Sequence, residues 1–266
     1  MKIAILGLGE AGSHFANDLV KMGINVSGWD PNLQRTLDPK VDFATNNSTA
    51  VQNADIIFSV NYTSESKGIA QEVMPFLSGG AIYCEMNTSS PSTKQEIESI
   101  LLPANIRFVD LAIMGPVPPK GIKVPLLASG GSAKLLTKKL APFQLNLTYL
   151  NDKTGDAAGR KLLRSIVYKG VAVVICEAME AGTQFGLDDY IRTQINSIIG
   201  ENDALIDRFV SGSRTHAKRR MHEMEAVVNM LEGENLSTFM SEGAVNNLKK
   251  YLGKTKKITY AKKSTT

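Results

Sequence analysis

Three glycines near the start of the chain have the spacing G-x-G-x-x-G. In a strand–loop–helix unit this spacing suits phosphate chemistry: Gly7 permits a tight turn, Gly9 lets a pyrophosphate approach the backbone, and Gly12 allows close helix–strand packing. The free N–H groups of the following helix would face the phosphates. The sequence therefore predicts a dinucleotide site whose loop residues are Gly7, Gly9, Glu10, Ala11 and Gly12.

An acidic residue at the end of the next apolar run extends this prediction. Asp30 lies 18 residues after Gly12, where a carboxylate would accept hydrogen bonds from the adenosine ribose. The same charge would repel the additional phosphate of NADP, whereas Arg35 could bind it. NAD is therefore favoured, and NADP stays open. Asn61 and Thr88 are also predicted to contact the cofactor.

A second set of polar residues lies within the long, mostly apolar stretch 156–185. The spacing i, i+3, i+4, i+7 places four of them on one helix face: Lys161, Arg164, Ser165 and Tyr168. Two interpretations follow from this spacing. The cations could form a solvated patch or pair with Asp152 and Asp156. Alternatively, Lys161 acts as a general acid/base in a cleft, and Arg164 binds an anionic substrate and lowers the pKa of the lysine.

A similar stripe occurs later in the chain, at His216, Arg219, Arg220 and Glu223. One interpretation is an exposed helix with an Arg219–Glu223 pair. The other is that the stripe completes the substrate pocket, across a dimer in one version of the hypothesis. The sequence does not decide whether His216, Arg219 and Arg220 reach the active site.

The first 150 residues alternate short apolar runs with amphipathic stretches. The runs are 2–7, 24–30, 54–60, 80–86, 106–112 and, more weakly, 123–129. Their length and lack of polar alternation are typical of buried parallel strands. Helices are predicted over 10–22, 64–76 and 91–102. This alternation predicts an α/β fold with a doubly wound, Rossmann-type parallel sheet.

The strand signals end after Asn151 and Asp152. Helices are predicted over 156–185, 188–199, 202–210, 213–232 and 236–251. The chain is thus predicted to form a dinucleotide-binding domain over 1–152 and an all-α domain over 153–266. The lysine-rich stretch 249–263 is interpreted as a solvated terminus.

Composition restricts the class of protein. The chain has 266 residues, 43% of them hydrophobic, and a net charge of +4, which exclude disorder and indicate no nucleic-acid partner. No run approaches the ~20 apolar residues of a membrane span. Cys84 and Cys176 lack disulfide or zinc spacing, so we predict buried thiols, a cytoplasmic protein and no metal.

Four segments in order resemble the β-hydroxyacid dehydrogenase superfamily, which includes 3-hydroxyisobutyrate, tartronate-semialdehyde and 6-phosphogluconate dehydrogenases. The segments are GLGEAGSHFANDLVKMG (7–23), CEMNTSSPST (84–93), DLAIMGPVPPKG (110–121) and GDAAGRKLLRSIVYKG (155–170). The second resembles the family's D-x-S-T segment and the third its D-A-P-V-S-G-G segment. The fourth resembles the helix carrying the catalytic lysine, which falls on Lys161.

The resemblance implies an NAD(P)-dependent dehydrogenase acting on a small anionic hydroxy acid or its aldehyde or keto counterpart, with a helical domain that forms a homodimer. It implies the substrate-binding residues Asn87, Met114, Gly115 and Arg164. Met114 replaces the family's serine and Pro116 its second glycine, while Arg164 and Ser165 stand where asparagines are usual. This pattern resembles a divergent phosphogluconate-dehydrogenase-like branch of uncertain substrate. An imine- or opine-type reductase and a non-catalytic NAD(P)H sensor are the alternatives.

Overall fold

A computed structural model describes residues 1–200 and 202–252. The strands are β1 Lys2–Leu6, β2 Asn25–Trp29, β3 Asp42–Phe43, β4 Ile56–Ser59, β5 Ile82–Glu85, β6 Arg107–Ile113, β7 Leu126–Ser129 and β8 Leu147–Asn151. The helices are α1 Glu10–Lys21, α2 Asn47–Ala50, α3 Ser66–Val73, α4 Pro91–Leu101, α5 Ala133–Leu140, α6 Asp156–Phe185, α7 Asp188–Ile199, α8 Asp203–Thr215, α9 Ala217–Gly233 and α10 Phe239–Lys249.

All eight strands form one sheet in the order β3-β2-β1-β4-β5-β6-β7-β8. Neighbouring strands are parallel except β6 and β7, which are antiparallel. The strand order reverses direction between β1 and β4, and such a switch point opens a crevice outside the carboxyl ends of the strands. The predicted Rossmann-type α/β fold is confirmed.

Helices cover both faces of this sheet. Ile3 and Ile5 of β1 belong to one apolar cluster, which includes Phe15 of α1. Leu6 belongs to a second cluster, which includes Ile97 of α4. Alternate residues of a strand point to opposite faces, so both faces of β1 are buried. This burial explains why its sequence shows no polar alternation.

The sequence analysis missed four elements and one strand direction. The strands β3 and β8 lie at the two edges of the sheet, and β8 is only partly buried, so neither carries a buried apolar run. The helices α2 and α5 were also missed. The β6–β7 connection contains one 3₁₀ turn, Gly121–Lys123, and no crossover helix. An antiparallel pair needs no such crossover.

The chain divides into two compact units. The first comprises Met1–Arg164 and Asn229–Asn235, and the second comprises Ser165–Val228 and the described residues from Leu236 onward. The predicted boundary at 152/153 stays a prediction. The lysine-rich stretch extends beyond Leu252, and that part of the prediction lies outside the described residues.

The second unit is built from helices alone in its described part. Buried apolar side chains of α6 and α8, including Met179 and Phe209, form its core, and Tyr168 packs edge-on against Phe209 with ring centroids 5.0 Å apart. Cys84 and Cys176 are buried free thiols, as predicted. Over the described ranges, no helix combines the length and apolarity needed to cross a bilayer.

Candidate functional site

The glycine loop has the geometry that a dinucleotide needs. Gly7 has a φ of +99°, and a Cβ there would overlap the carbonyl oxygen of Val60. A Cβ on Gly12 would overlap the carbonyl of Gly7, so this helix–loop contact requires glycine. A Cβ on Gly9 would meet no atom within 4 Å. Gly9 therefore borders open space at the N-terminus of α1, where Glu10 and Ala11 begin the helix, and the loop fits a pyrophosphate.

Asp30 is tied directly to this loop. Its Oδ2 accepts the N–H of Leu8 at 2.8 Å, and its Oδ1 accepts the N–H of Asn32 at 2.8 Å. A carboxylate has about four lone-pair sites, so capacity remains for ribose hydroxyls. Trp29, the preceding residue, pairs with Phe43 at 5.3 Å between ring centroids. Asp30 thus shapes the loop in addition to its predicted contact with the ribose.

Two predicted site residues meet beyond the ends of β4 and β5. Asn87 donates from Nδ2 to Oδ1 of Asn61 at 2.9 Å, and Asn61 donates from Nδ2 to Ser59 Oγ at 2.9 Å. The Thr63 hydroxyl donates to the backbone carbonyl of Thr88 at 3.0 Å. Asn61 and Thr88 were predicted for the cofactor and Asn87 for the substrate, so the structure brings residues of both predicted sets together.

Three charged side chains beneath this loop are completely buried. The Lys94 ammonium pairs with Glu85 and lies 3.3 Å from Asp110 Oδ1, and all three side chains have 0% exposure. Burial raises the pKa of Glu85 although Lys94 opposes this. Burial by itself lowers the pKa of Lys94, but Glu85 and Asp110 outweigh it and the net shift is upward. Lys94 therefore stays an ammonium.

Sequence analysis missed this network, although a signal was present. Two of the predicted buried strands, 80–86 and 106–112, each carry one acidic residue, Glu85 and Asp110. A carboxylate buried in a sheet needs a cation or several N–H donors as partners. Lys94 lies in the predicted helix 91–102 and supplies that cation.

The first turn of α6 is capped by side chains of the sheet. Asp110 Oδ2 accepts the N–H of Ala158 at 2.9 Å, and Ser129 Oγ accepts the N–H of Ala157 at 3.0 Å. Ser129 also donates to Asp110 Oδ2 at 3.1 Å. These acceptors satisfy N–H groups that lack partners at a helix start. Lys161 is one turn further along α6 and is half-buried, while Arg164 is exposed.

The predicted substrate segment follows β6. The N–H of Met114 donates to the Pro125 carbonyl at 2.8 Å, and Met114 and Gly115 are half-buried. Further along, Asp18 of α1 accepts the N–H of Ile122 at 3.0 Å, which holds this segment against α1. Gly121 has a φ of +55°, and a Cβ there would overlap the Asp18 carboxylate. The segment is therefore anchored at both ends within the first unit.

The second polar stripe forms ion pairs within the helical unit. Lys169 Nζ lies 2.6 Å from Glu223 Oε2, and Arg219 lies 3.3 Å from Glu223 Oε1. Arg220 is buried and donates to Ser213 Oγ at 2.8 Å. Desolvation lowers the pKa of Lys169 despite the nearby Glu223 carboxylate. The Arg219–Glu223 pair is present as predicted, and the pocket role of His216, Arg219 and Arg220 stays a prediction.

In residues 1–200 and 202–252, no group of three or more His, Cys, Asp or Glu is arranged to hold a metal ion.

The fold and the glycine loop define a Rossmann-type dinucleotide-binding protein. Residues 2–142 match the family described as the NAD binding domain of 6-phosphogluconate dehydrogenase, and the chain belongs to this family. Residues 183–251 match a second family, described as a domain of unknown function, DUF1932. The predicted 3-hydroxyisobutyrate and 6-phosphogluconate dehydrogenase-like relationship is confirmed.

Several relatives are similar over most of the chain. An uncharacterized 28.5 kDa protein from Methanothermus fervidus is 27% identical over 254 residues, which is 94% of this chain and 98% of that protein. The solved structure of MTH1747, described as structurally similar to 3-hydroxyacid dehydrogenases, is 25% identical with a TM-score of 0.71 and covers 94% of this chain and 96% of its own. This relative identifies the divergent branch to which the chain is similar.

The chain is also similar to proteins described as enzymes. A probable 3-hydroxyisobutyrate dehydrogenase from Dictyostelium discoideum is 25% identical, over 70% of this chain and 61% of that enzyme. The solved 3-hydroxyisobutyrate dehydrogenase of Salmonella typhimurium is 16% identical, with a TM-score of 0.78 over 94% of this chain and 93% of that one. An imine reductase from Myxococcus stipitatus in complex with NADP⁺ is 17% identical, with a TM-score of 0.59 over 95% and 94% of the two chains. A variant of that reductase in complex with NAD⁺ has a TM-score of 0.62. These three structures share the fold.

Proposed function

We propose that the protein is an NAD(P)-dependent oxidoreductase that interconverts a small anionic hydroxy acid and its aldehyde or keto counterpart. One observation carries the proposal: the buried Asp110 carboxylate accepts a backbone N–H from the first turn of the helix that bears Lys161. Asp110 belongs to the same network as Asn87, a predicted substrate residue, and Asn87 contacts Asn61, a predicted cofactor residue. In a chain of this family, a chain of contacts from the predicted cofactor residue Asn61 to the helix of Lys161 supports a catalytic role.

The cofactor would be held by the glycine loop. N–H groups at the start of α1 would bind its pyrophosphate beside Gly9, and Asp30 would accept the ribose hydroxyls. The bound nicotinamide supplies or accepts the hydride in this chemistry. The Asp30 carboxylate favours NAD, because it would repel the phosphate that distinguishes NADP.

The chain's own residues would handle the proton and the charge of the substrate. Lys161 would protonate the carbonyl oxygen during reduction and accept the hydroxyl proton during oxidation. The guanidinium of Arg164 would bind the substrate's acidic group, since its fork of donors matches a carboxylate or phosphate. Asn87, Met114 and Gly115 would border the substrate. Met114 offers no hydroxyl, so we expect a substrate different from those of the named dehydrogenases.

A substrate panel tests the proposal. Oxidation of NADH or NADPH would be followed with small keto acids and semialdehydes, and the reverse reaction with hydroxy acids. Turnover of at least one anionic substrate that is lost in Lys161→Ala is the expected result. Reduction of cyclic imines alone would favour the imine reductase activity named for one structural neighbour. Tight cofactor binding without turnover of any compound would favour a sensor.

We also propose that the helical unit forms a homodimer. Val167, Val171 and Val174 recur at i, i+4 and i+7 on α6, and their side chains are 68%, 39% and 56% exposed. An apolar stripe of this spacing is costly in water and suits the same helix of a second copy, as the family resemblance implies. Sedimentation should give a dimer for the wild type and a monomer for Val167→Glu/Val174→Glu. A wild-type monomer at micromolar concentration would contradict this.

We propose that the protein is cytoplasmic. The buried free thiols of Cys84 and Cys176 support a reducing, cytoplasmic location.

A further inference from the structure

Lys94 contacts several groups that lie on different elements of the first unit. Its side chain is entirely buried at the start of α4. Besides its ion pairs with Glu85 and Asp110, the ammonium donates to the backbone carbonyls of Glu85 and Asn87, each at 2.9 Å. One cation thus joins β5, β6 and the loop after β5.

The first branch of these contacts leads to the predicted substrate residue. Glu85 accepts at Oε1 from both the backbone N–H and the side-chain amide of Asn87. Lys94 holds the other oxygen of the same carboxylate and the Asn87 carbonyl. The Asn87 backbone is therefore held by Glu85 and Lys94, and its side-chain amide is oriented by bonds to Glu85 and Asn61.

The second branch leads to the lysine helix. Asp110 faces Lys94 with Oδ1 and receives the Ala158 N–H and the Ser129 hydroxyl at Oδ2. The positive end of the α6 dipole stabilises this carboxylate, so the charge of Asp110 is balanced from both sides. A shift of Asp110 would move the first turn of α6, one turn before Lys161.

Stability alone does not account for such an arrangement. Buried ion pairs cost desolvation energy, and apolar residues of similar volume often stabilise a core equally well or better. Both carboxylate partners of Lys94 contact the candidate site: Glu85 bonds to Asn87, and Asp110 bonds to the first turn of α6. We infer that Lys94 is a positioning residue that fixes, through Glu85 and Asp110, both the Asn87 loop and the first turn of the helix carrying Lys161. This inference rests on the proposed function for its catalytic consequence.

Amide hydrogen exchange of Lys94→Met tests the positioning without requiring turnover. Met preserves the volume and removes the charge. We expect exchange at least tenfold faster in peptides covering 85–90 and 156–162, with β1 unchanged. Lys67→Met is the matched control, because Lys67 forms an exposed ion pair with Glu96 on α4. Unchanged exchange in both peptides, or an equal increase throughout the first unit, would overturn the inference.

A second variant covers the case in which Lys94→Met does not fold. Glu85→Gln/Lys94→Gln removes one charge of each sign and lets two amides pair, but it loses the ammonium contact to Asp110. Faster exchange at 156–162 is expected here too. Wild-type exchange in this double variant would overturn the role of Lys94.

Kinetics then test the catalytic consequence. With a substrate from the panel, Lys94→Met, or the double variant, should lower kcat by about 10²-fold, because small displacements of reacting groups have effects of that size. The Kd for the cofactor should change less than kcat, because Lys94 bonds to the loop of Asn87 and Thr88 and not to the glycine loop predicted to bind the pyrophosphate. Equal kcat values would overturn the catalytic part of the inference. If the wild type itself turns over nothing, the proposed function fails, whereas the exchange result still decides the positioning.

Discussion

The carboxylate of Asp110 accepts the backbone N–H of Ala158 at 2.9 Å, across 48 positions of sequence. The bond joins the middle of a central strand to the first turn of α6. Because Lys161 lies three residues after Ala158, the position of the predicted catalytic lysine depends on a buried acidic residue in the sheet. The family resemblance placed Asp110 and Lys161 in separate motifs, and the bond between Asp110 and Ala158 connects these motifs.

Ser129 should matter for stability because it completes this cap. Ser129→Ala removes the acceptor of the Ala157 N–H and a donor to Asp110. We expect the free energy of unfolding to fall by about 1–3 kcal/mol, the cost of buried groups left unpaired. Ser99→Ala is the control, since that exposed hydroxyl bonds only to Gln95 within its own helix. Equal urea midpoints for the two variants would contradict the prediction.

Lys161 should affect turnover more than binding. Lys161→Ala should lower kcat by about 10²–10⁴-fold, the usual contribution of a general acid/base, with the cofactor Kd unchanged. Lys153→Ala serves as control, because Lys153 precedes the same helix and its side chain is 74% exposed. Wild-type kcat in Lys161→Ala would refute the assignment of Lys161.

The glycine loop offers a separation of binding from stability. Gly9→Ala should leave the free energy of unfolding within about 0.5 kcal/mol, since its Cβ meets no atom of the chain. It should weaken cofactor binding at least tenfold, about 1.4 kcal/mol, because the methyl group occupies the predicted pyrophosphate space.

Two further glycines calibrate that result. Gly12→Ala should lose about 1–3 kcal/mol of stability through overlap with the Gly7 carbonyl. Gly68→Ala, in α3 with open space around it, should gain about 0.5–1 kcal/mol and bind the cofactor normally. Normal cofactor binding by Gly9→Ala would place the pyrophosphate elsewhere.

Asp30 should set the preference between cofactors. Quenching of Trp29, the only tryptophan of the chain, should show tighter binding of NADH than of NADPH. Asp30→Asn keeps an acceptor for the Leu8 N–H and removes the charge, so the preference should narrow by about tenfold. Asp38→Asn is the matched control, because Asp38 accepts the N–H of Lys40 just as Asp30 accepts the N–H of Asn32. It should leave the cofactor preference unchanged. Tighter binding of NADPH than of NADH by the wild type would contradict this and would indicate that Arg35 binds the additional phosphate of NADP.

The ion pair of Lys169 and Glu223 should contribute to the stability of the protein. Lys169→Met should destabilise the protein by about 1–3 kcal/mol, because Glu223 loses a largely buried partner and keeps the more exposed Arg219. Lys169→Met/Glu223→Gln should recover only part of that loss, since it removes one charge of each sign but takes the Glu223 carboxylate away from the buried Arg220.

The pH dependence follows from the lowered pKa of Lys169. Between the folded pKa and the ordinary value of 10.5, the unfolded chain binds more protons than the folded one. The wild type should therefore gain stability relative to the double variant as the pH rises towards 10.5. Urea unfolding followed by circular dichroism measures this difference, and a constant or falling difference would contradict the prediction.

Local patterns in the sequence were sufficient for the main elements of the fold. The helices 156–185 and 188–199 were predicted with the bounds that the structure has, because long periodic stretches carry a strong local signal. The glycine loop was recognised from its G-x-G-x-x-G spacing, although the Val60 carbonyl that requires glycine at position 7 lies far along the chain. Edge strands such as β8 carry a weaker signal, because burial on one side only leaves polar residues in the run.

The buried network depended on tertiary structure. Glu85 and Asp110 were visible as charges in apolar runs and Lys94 was one polar residue of a predicted helix, but their contact requires β5, β6 and α4 to be packed together. The cap of α6 by Asp110 is likewise a contact between distant segments. Local spacing along the chain was thus sufficient to predict the Rossmann-type sheet and the glycine loop, whereas the role of Lys161 was predicted from the family resemblance. Only the folded chain decided which buried charges connect them, because such pairing depends on distances that spacing along the chain does not contain.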